Sequence, residues 1–317
     1  MHSEPNTNRD VNVSARVSAS VSVSVSVSVR AGLRVGILPG VLAAALPATF
    51  AALILVAAPG RAAADPSPAA VAGFNSYIAQ FESRLARQHS SADGFLAPFD
   101  SVRLRGGEVV IEPIKPAPGA DLPGAMLHHW RGTAFVPGAR AADLERLLRD
   151  YGDYPKVYAP QVVAARVLAQ DGDRFETMLR IIQKHVITVV LDTTYDIQFS
   201  PAAAAPAAQP GAHGYNISHS TRVAEIAASG TSTEHALDAS HEHGFLWRLN
   251  TYWSWEERDG GLYMQIETVS LTRSIPIGLG WAIGPFIESI PRESLEFTLR
   301  STANALRRQP QAERTTS

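Results

Sequence analysis

Two alternating runs meet at Asp259 and Gly260, and together they constrain this chain more than any other stretch. Asp-Gly is a preferred pair for a two-residue type I′ turn, whose twist matches that of the strands it joins. A two-residue loop here predicts a hairpin over 245–273, with Trp255 opposite Met264, Trp253 opposite Ile266 and Leu249 opposite Ser270. One face then carries Phe245, Trp247, Leu249, Trp253, Trp255, Met264 and Ile266. The other carries Arg248, Asn250, Tyr252, Ser254, Glu256, Gln265 and Glu267, with Tyr252 opposite Glu267. A slip of one residue would exchange the two faces, so the register is well specified. The apolar face has to be covered.

The element able to cover it is the C-terminal segment. After Pro291, the residues Leu295, Leu299, Ala303 and Leu306 form a helical stripe with Phe297 at its edge. Upstream, Ala70, Phe74, Tyr77, Ile78, Phe81 and Leu85 recur at three- and four-residue steps, which predicts a helix over 68–90. Residues 93–127 read as a connector rich in proline and glycine, with one short apolar run at 109–111. A strand at 128–136 (HHWRGTAFV) ends at Pro137 and Gly138. A helix at 140–151 presents Leu144, Leu147, Leu148 and Tyr151 on one side. Strands follow at 162–170, 174–183, 185–199 and 216–226, interrupted by a low-complexity loop at 200–214.

This order, strand then helix then a run of antiparallel strands and one long closing helix, resembles the START-like, or SRPBCC, helix-grip superfamily. The resemblance covers roughly residues 124–308. It rests on HHWRGTAFVPG with the helix at 140–151, on the strands of 162–273, and on PRESLEFTLRSTANALRR at the end. It implies an α+β fold in which a curved antiparallel sheet wraps around the C-terminal helix and an apolar ligand sits between them. The N-terminal helix is an addition to that pattern. Activities in the superfamily include lipid transfer, sensing of hydrophobic ligands, polyketide cyclisation and the oxygenase platforms.

The first 64 residues stand apart. They begin with low-complexity sequence that ends in alternating Val and Ser, and from Arg34 to Arg61 the chain carries no charge. Arg30 and Arg34, the apolar stretch and Ala62–Ala64 make a secretory signal with cleavage after Ala64. An uncleaved membrane anchor is the alternative reading of the same stretch. The organisation expected is a leader at 1–64, a helix and connector at 65–123, a helix-grip domain at 124–308 and a disordered tail at 309–317. The protein is expected outside the cytoplasm, in the periplasm or beyond the cell.

Composition narrows the chemistry. The 317 residues include no cysteine, which excludes a disulfide framework, thiolate metal sites, iron–sulfur ligation and a cysteine nucleophile. The iron–sulfur branch of the resembled superfamily is thereby removed. A formal charge of −2 argues against a dedicated nucleic-acid binder. Apolar residues at 45% exclude collagen-like and fully disordered chains.

Catalytic motifs are weak. Gly278, Gly280 and Gly284 approximate a dinucleotide fingerprint, but no second parallel strand follows to hold the ribose. They read instead as an apolar turn before the closing helix, with Trp281 and Phe286 near a cavity mouth. His235, His241 and His243, with Glu234, Asp238 and Glu242, have zinc-compatible chemistry but loop-like surroundings and no helical spacing, so no metal is assigned. There is no Gly-x-Ser-x-Gly elbow, and no catalytic residue or cofactor is assigned. Arg248, Asn250, Tyr252 and Glu267 would hold a ligand's polar end or perform acid–base work if they faced the cavity; otherwise they form a wetted outer sheet face.

Two readings of function follow, with a third beside them. The first is a carrier or sensor of a lipid- or isoprenoid-like molecule, in a cavity lined by Trp247, Trp253, Trp255, Met264, Ile266, Trp281 and Phe286, with Arg248, Tyr252 and Glu267 at the polar end. The second is a ligand-free structural or interaction domain in which these side chains fill a solid core. The third is a cyclase- or hydrolase-like enzyme in which Arg248, Tyr252 and Glu267 converge inside the cavity.

Overall fold

The structure, a computed structural model, describes residues 65–91, 94–116, 122–184, 188–200, 211–238, 241–242, 246–274 and 280–308, the last stretch by its backbone alone over 280–288. The predicted leader at 1–64, most of the 200–214 loop and the tail at 309–317 lie outside the described residues. Among the described residues no helix is long and apolar enough to cross a membrane.

The hairpin register expected from Asp259 and Gly260 is the one observed. Strands β8 (Leu246–Arg258) and β9 (Gly261–Arg273) oppose Trp255 to Met264, Trp253 to Ile266, Leu249 to Ser270 and Tyr252 to Glu267. Asp259 and Gly260 have φ of 55° and 76°, the left-handed pair that a type I′ turn requires. The other strands are β1 (Val110–Pro113), β2 (Ala125–Pro137), β3 (Val162–Asp171), β4 (Arg174–Lys184), β5 (Thr188–Phe199), β6 (His213–Ala227) and the short β7 (His235–Ala236). They form one antiparallel sheet ordered β1-β2-β9-β8-β6-β5-β4-β3, with β7 paired to β6.

Helix α1 (Pro68–His89) starts where Ser67 caps the Ala70 amide at 3.1 Å and Pro68 occupies the first turn. The connector is more ordered than its composition predicts. It contains α2 (Ser101–Arg105) and β1, and Phe95, Leu96 and Leu104 pack with Phe135 and Tyr263. After β2 come α3 (Ala141–Arg149), a 3-10 turn at Tyr151–Asp153 and α4 (Tyr154–Val157). The chain closes with α5 (Gly280–Arg308), which begins well before Pro291. Proline favours the first turn of a helix because it lacks an N–H, so Pro291 reads as a start although the helix runs through it.

Both faces of the sheet are covered by helices. On one side Trp253, Trp255, Met264 and Ile266 pack with Leu144, Leu147 and Leu148 of α3 and with Leu295, Leu299, Ala303 and Leu306 of α5. Gly132 lets α5 approach β2: a Cβ there would lie 2.5 Å from Leu299 and 2.8 Å from Ile111. On the other side Ala70, Phe74, Ile78, Phe81 and Leu85 of α1 pack with Tyr252, Val269 and Leu271. The result is the helix-grip α+β arrangement, with α1 as a second cover on the sheet's back.

Candidate functional site

The grip face is built by the alternation of the strands. From β4 to β2 its inward residues include Phe175 and Thr177, Thr193, Tyr195 and Ile197, Asn216 and Ser218, Trp253 and Trp255, Met264 and Ile266, and Ala134. Gly214 makes room for Trp255: a Cβ there would stand 2.6 Å from the indole. Tyr158 donates to the buried Thr302 hydroxyl of α5 at 3.0 Å, and Thr302 in turn donates to the Thr298 carbonyl at 2.8 Å. This chain of donors ties α5 to the segment before β3.

Two cavities lie along α5. One, of about 210 Å³, opens between the end of β4 and the helix and is lined by Pro160, Gln161, Ile182, Gln183, Lys184, Ile290, Glu293 and Ser294. The other, of about 260 Å³, sits near the helix's last turns against Leu147, Val157 and Ala305, with Arg146, Asp150, Asp153, Lys156 and Arg308 at its rim. Thr177 Oγ1, Thr193 Oγ1 and Asn216 Oδ1 are buried on the grip face without a hydrogen-bond partner.

The opposite face has a different chemistry. Arg84 Nη2 of α1 donates to both Glu267 oxygens, at 2.8 and 2.9 Å, and Arg131 Nη2 reaches the same carboxylate at 3.3 Å. His129 Nε2 lies 3.0 Å from Glu267, and its Nδ1 lies 2.7 Å from the Tyr77 hydroxyl. Burial alone would raise Glu267, but the His129 hydrogen bond and the Arg131 and Arg84 charges outweigh it and hold the group at about 2. Glu267 is therefore an acceptor only, so Nε2 carries the His129 proton. Burial keeps His129 neutral by lowering its pKa, so Nδ1 accepts and Tyr77 donates.

A second cluster lies nearby under the same helix. Tyr252 donates to Glu82 at 2.8 Å, and His219 Nε2 meets the same oxygen at 2.6 Å. His89 is stacked between Phe95 and Tyr215, at 4.6 and 4.3 Å, with Nε2 2.9 Å from the Ser254 hydroxyl. Burial, helped by the Arg84 charge, pushes His89 down to about 4. Gln265 donates to the Ala97 carbonyl and to Thr133 and accepts from the Ala97 amide.

The proposed ligand-lining residues thus divide. Trp253, Trp255, Met264 and Ile266 lie on the grip face; Trp281 and Phe286 lie outside the residues whose side chains are described. Tyr252 and Glu267 lie on the opposite face, where they are neither wetted nor in the grip: α1 buries them. Tyr252 bonds Glu82 and Glu267 bonds Arg84 and His129, so the convergence an enzyme would need inside the grip does not occur. Arg248 is half-buried and donates to the Trp247 carbonyl. Trp247 changes sides as well. A bulge between Leu246 and Arg248 breaks the alternation, and the indole packs with the α1 cluster instead of the apolar hairpin face.

Sequence reasoning missed Tyr77, Glu82, Arg84, His89, His129 and His219. One signal was present: polar Glu267, Gln265 and Tyr252 alternate with the tryptophans, and His129 and Arg131 share their parity across β2 and β9. His235 and His241 are exposed, and His243 lies outside the described residues. Among the described residues no group of three metal-ligating side chains forms.

The sheet order and the gripped C-terminal helix define a helix-grip α+β protein. No family model matches the sequence, and no curated protein matches it. Solved structures do overlap with it. A STAR-related lipid transfer protein from Xanthomonas axonopodis is 16% identical, with 62% of this chain and 98% of that one covered at a TM-score of 0.39. The Zhui aromatase/cyclase from Streptomyces sp. R1128 is 12% identical, covering 59% and 98% at a TM-score of 0.42. A START superfamily protein from Mycobacterium smegmatis is 13% identical, covering 57% and 97% at a TM-score of 0.37.

Proposed function

We propose that this protein is an exported, non-enzymatic carrier of an apolar, lipid- or isoprenoid-like molecule held between the sheet and α5. The observation that carries this reading is the apolar grip face of Trp253, Trp255, Met264 and Ile266 packed with α5, together with the cavity of about 210 Å³ that opens between the end of β4 and that helix. That cavity is smaller than the roughly 300–1,000 Å³ of a ligand pocket, so loading requires α5 to move outward from the sheet. The sheet's back cannot serve, because α1 fills it with paired charges. The leader's basic start, apolar stretch and Ala62–Ala64 support export, with cleavage after Ala64.

Native mass spectrometry with lipid extraction, on protein purified from a host that exports it, tests this directly. The expected result is a bound apolar species lost on extraction with organic solvent. Recovery of no ligand, together with failure to take up added apolar probes, makes the chain an interaction domain with a filled core.

A further inference from the structure

The unpaired oxygens of the grip face are not evenly spread over the sheet. Of the buried side-chain polar atoms without a partner among the described residues, Thr177 Oγ1, Thr193 Oγ1 and Asn216 Oδ1 lie on the grip face, and Arg131 Nε alone lies on the α1 side. Thr177 and Thr193 form a cluster. Thr177 opposes Tyr195 and Thr193 opposes Leu179, so the two hydroxyls are diagonal neighbours on adjacent strands. Both residues are essentially inaccessible, at 0% and 1% exposure. The Tyr195 side chain interacts with Thr193 without meeting full hydrogen-bond geometry.

An unmade hydrogen bond on a buried hydroxyl costs about 1–3 kcal/mol. Valine has the same shape as threonine and at least its strand preference, and it would avoid that cost. The same protein satisfies a denser set of polar groups across the sheet, so the orphaned hydroxyls are not a general looseness of packing.

We infer that Thr177 and Thr193 are the specificity-determining residues of the grip, and that its ligand is an apolar molecule bearing an oxygen function, a hydroxyl or carbonyl, which these hydroxyls bind. This rests on the carrier reading. Each threonine both donates and accepts, so together they suit a group that does the same. An alcohol fulfils that better than a hydrocarbon or a permanently charged headgroup, since neither threonine carries a charge to offset a buried ion.

Matched probes test the inference: farnesol against farnesene and hexadecan-1-ol against hexadecane, titrated into the wild-type chain and the double variant Thr177→Val, Thr193→Val. The wild type is expected to prefer each alcohol by about tenfold, the worth of one or two buried hydrogen bonds. The variant is expected to lose that preference while binding the hydrocarbons as before, with a Tm equal to or above that of the wild type. Equal binding of alcohol and hydrocarbon by the wild type, or a preference that survives in the variant, overturns the inference and leaves the carrier reading standing. Binding of none of the four probes overturns both. A variant that is less stable yet keeps the preference shows that the threonines serve packing, and likewise overturns it.

Discussion

The two faces of this sheet are covered by helices in opposite ways. Helix α5 packs with tryptophan, methionine and isoleucine, and the grip face it shares also holds buried oxygens without a partner. Helix α1 combines an apolar stripe with charged and polar groups that bond the sheet directly: Arg84 with Glu267, Glu82 with Tyr252 and His219, Tyr77 with His129, and His89 with Ser254. A non-directional apolar contact tolerates sliding, whereas a buried ionic network is satisfied in one geometry only. The contrast gives the two helices different holds on the sheet: α1 is fixed to its back by directional bonds, and α5 is the cover that would move on the carrier reading.

Breaking the network should therefore have the largest effect. Glu267→Gln leaves Arg84 and Arg131 without their shared carboxylate and is expected to cost roughly 3–5 kcal/mol in denaturant unfolding, the usual consequence of removing one partner of a buried pair. A loss below about 1 kcal/mol would place α1 among weakly held surface helices.

Acid should loosen the same face next. His89 has a folded pKa of about 4, below its ordinary 6.5, so its contribution is intact above pH 6.5 and is lost as pH falls from 6.5 through 4. His129 is depressed in the same direction, and Glu267 follows, losing its contribution between pH 4.5 and about 2. Fully expressed, the His89 shift amounts to up to about 3 kcal/mol. Amide protection in Pro68–His89, relative to intrinsic exchange at each pH, is expected to fall below pH 6.5 before that of Leu295–Leu306 does; simultaneous loosening of both helices would contradict the division.

Effects on the grip side are expected to be smaller. Gly132→Ala puts a methyl into the Leu299 and Ile111 contact and should cost about 1–3 kcal/mol by overpacking. Tyr158→Phe removes one donor to Thr302 and should cost about 1 kcal/mol, measured as a shift in Tm.

How much of this was legible beforehand depended on whether the signal was local. The β8–β9 register was, because Asp259-Gly260 and a period of two act within a few residues. Trp247 was not, because a bulge inserts one unpaired residue without altering composition. The early start of α5 was hidden by Pro285 and Pro291, which read as breakers. The helix over 68–90 was evident from its stripe, yet nothing in that stripe says which sheet face it meets. Glu82, Arg84 and His89 looked like solvated positions, and their partners lie more than a hundred residues away. The polar face of the hairpin was identified correctly as a set of residues and misplaced in its surroundings, since only the tertiary fold supplies α1 as its cover.

Hydrogen exchange with and without bound farnesol tests the division of the faces most directly. Protection confined to Ser289–Arg308 and to the inward-facing strands β4 to β6, with Pro68–His89 unchanged, is the expected result. Protection centred on Pro68–His89, with α5 unaffected, would contradict it and move the binding site to the sheet's back.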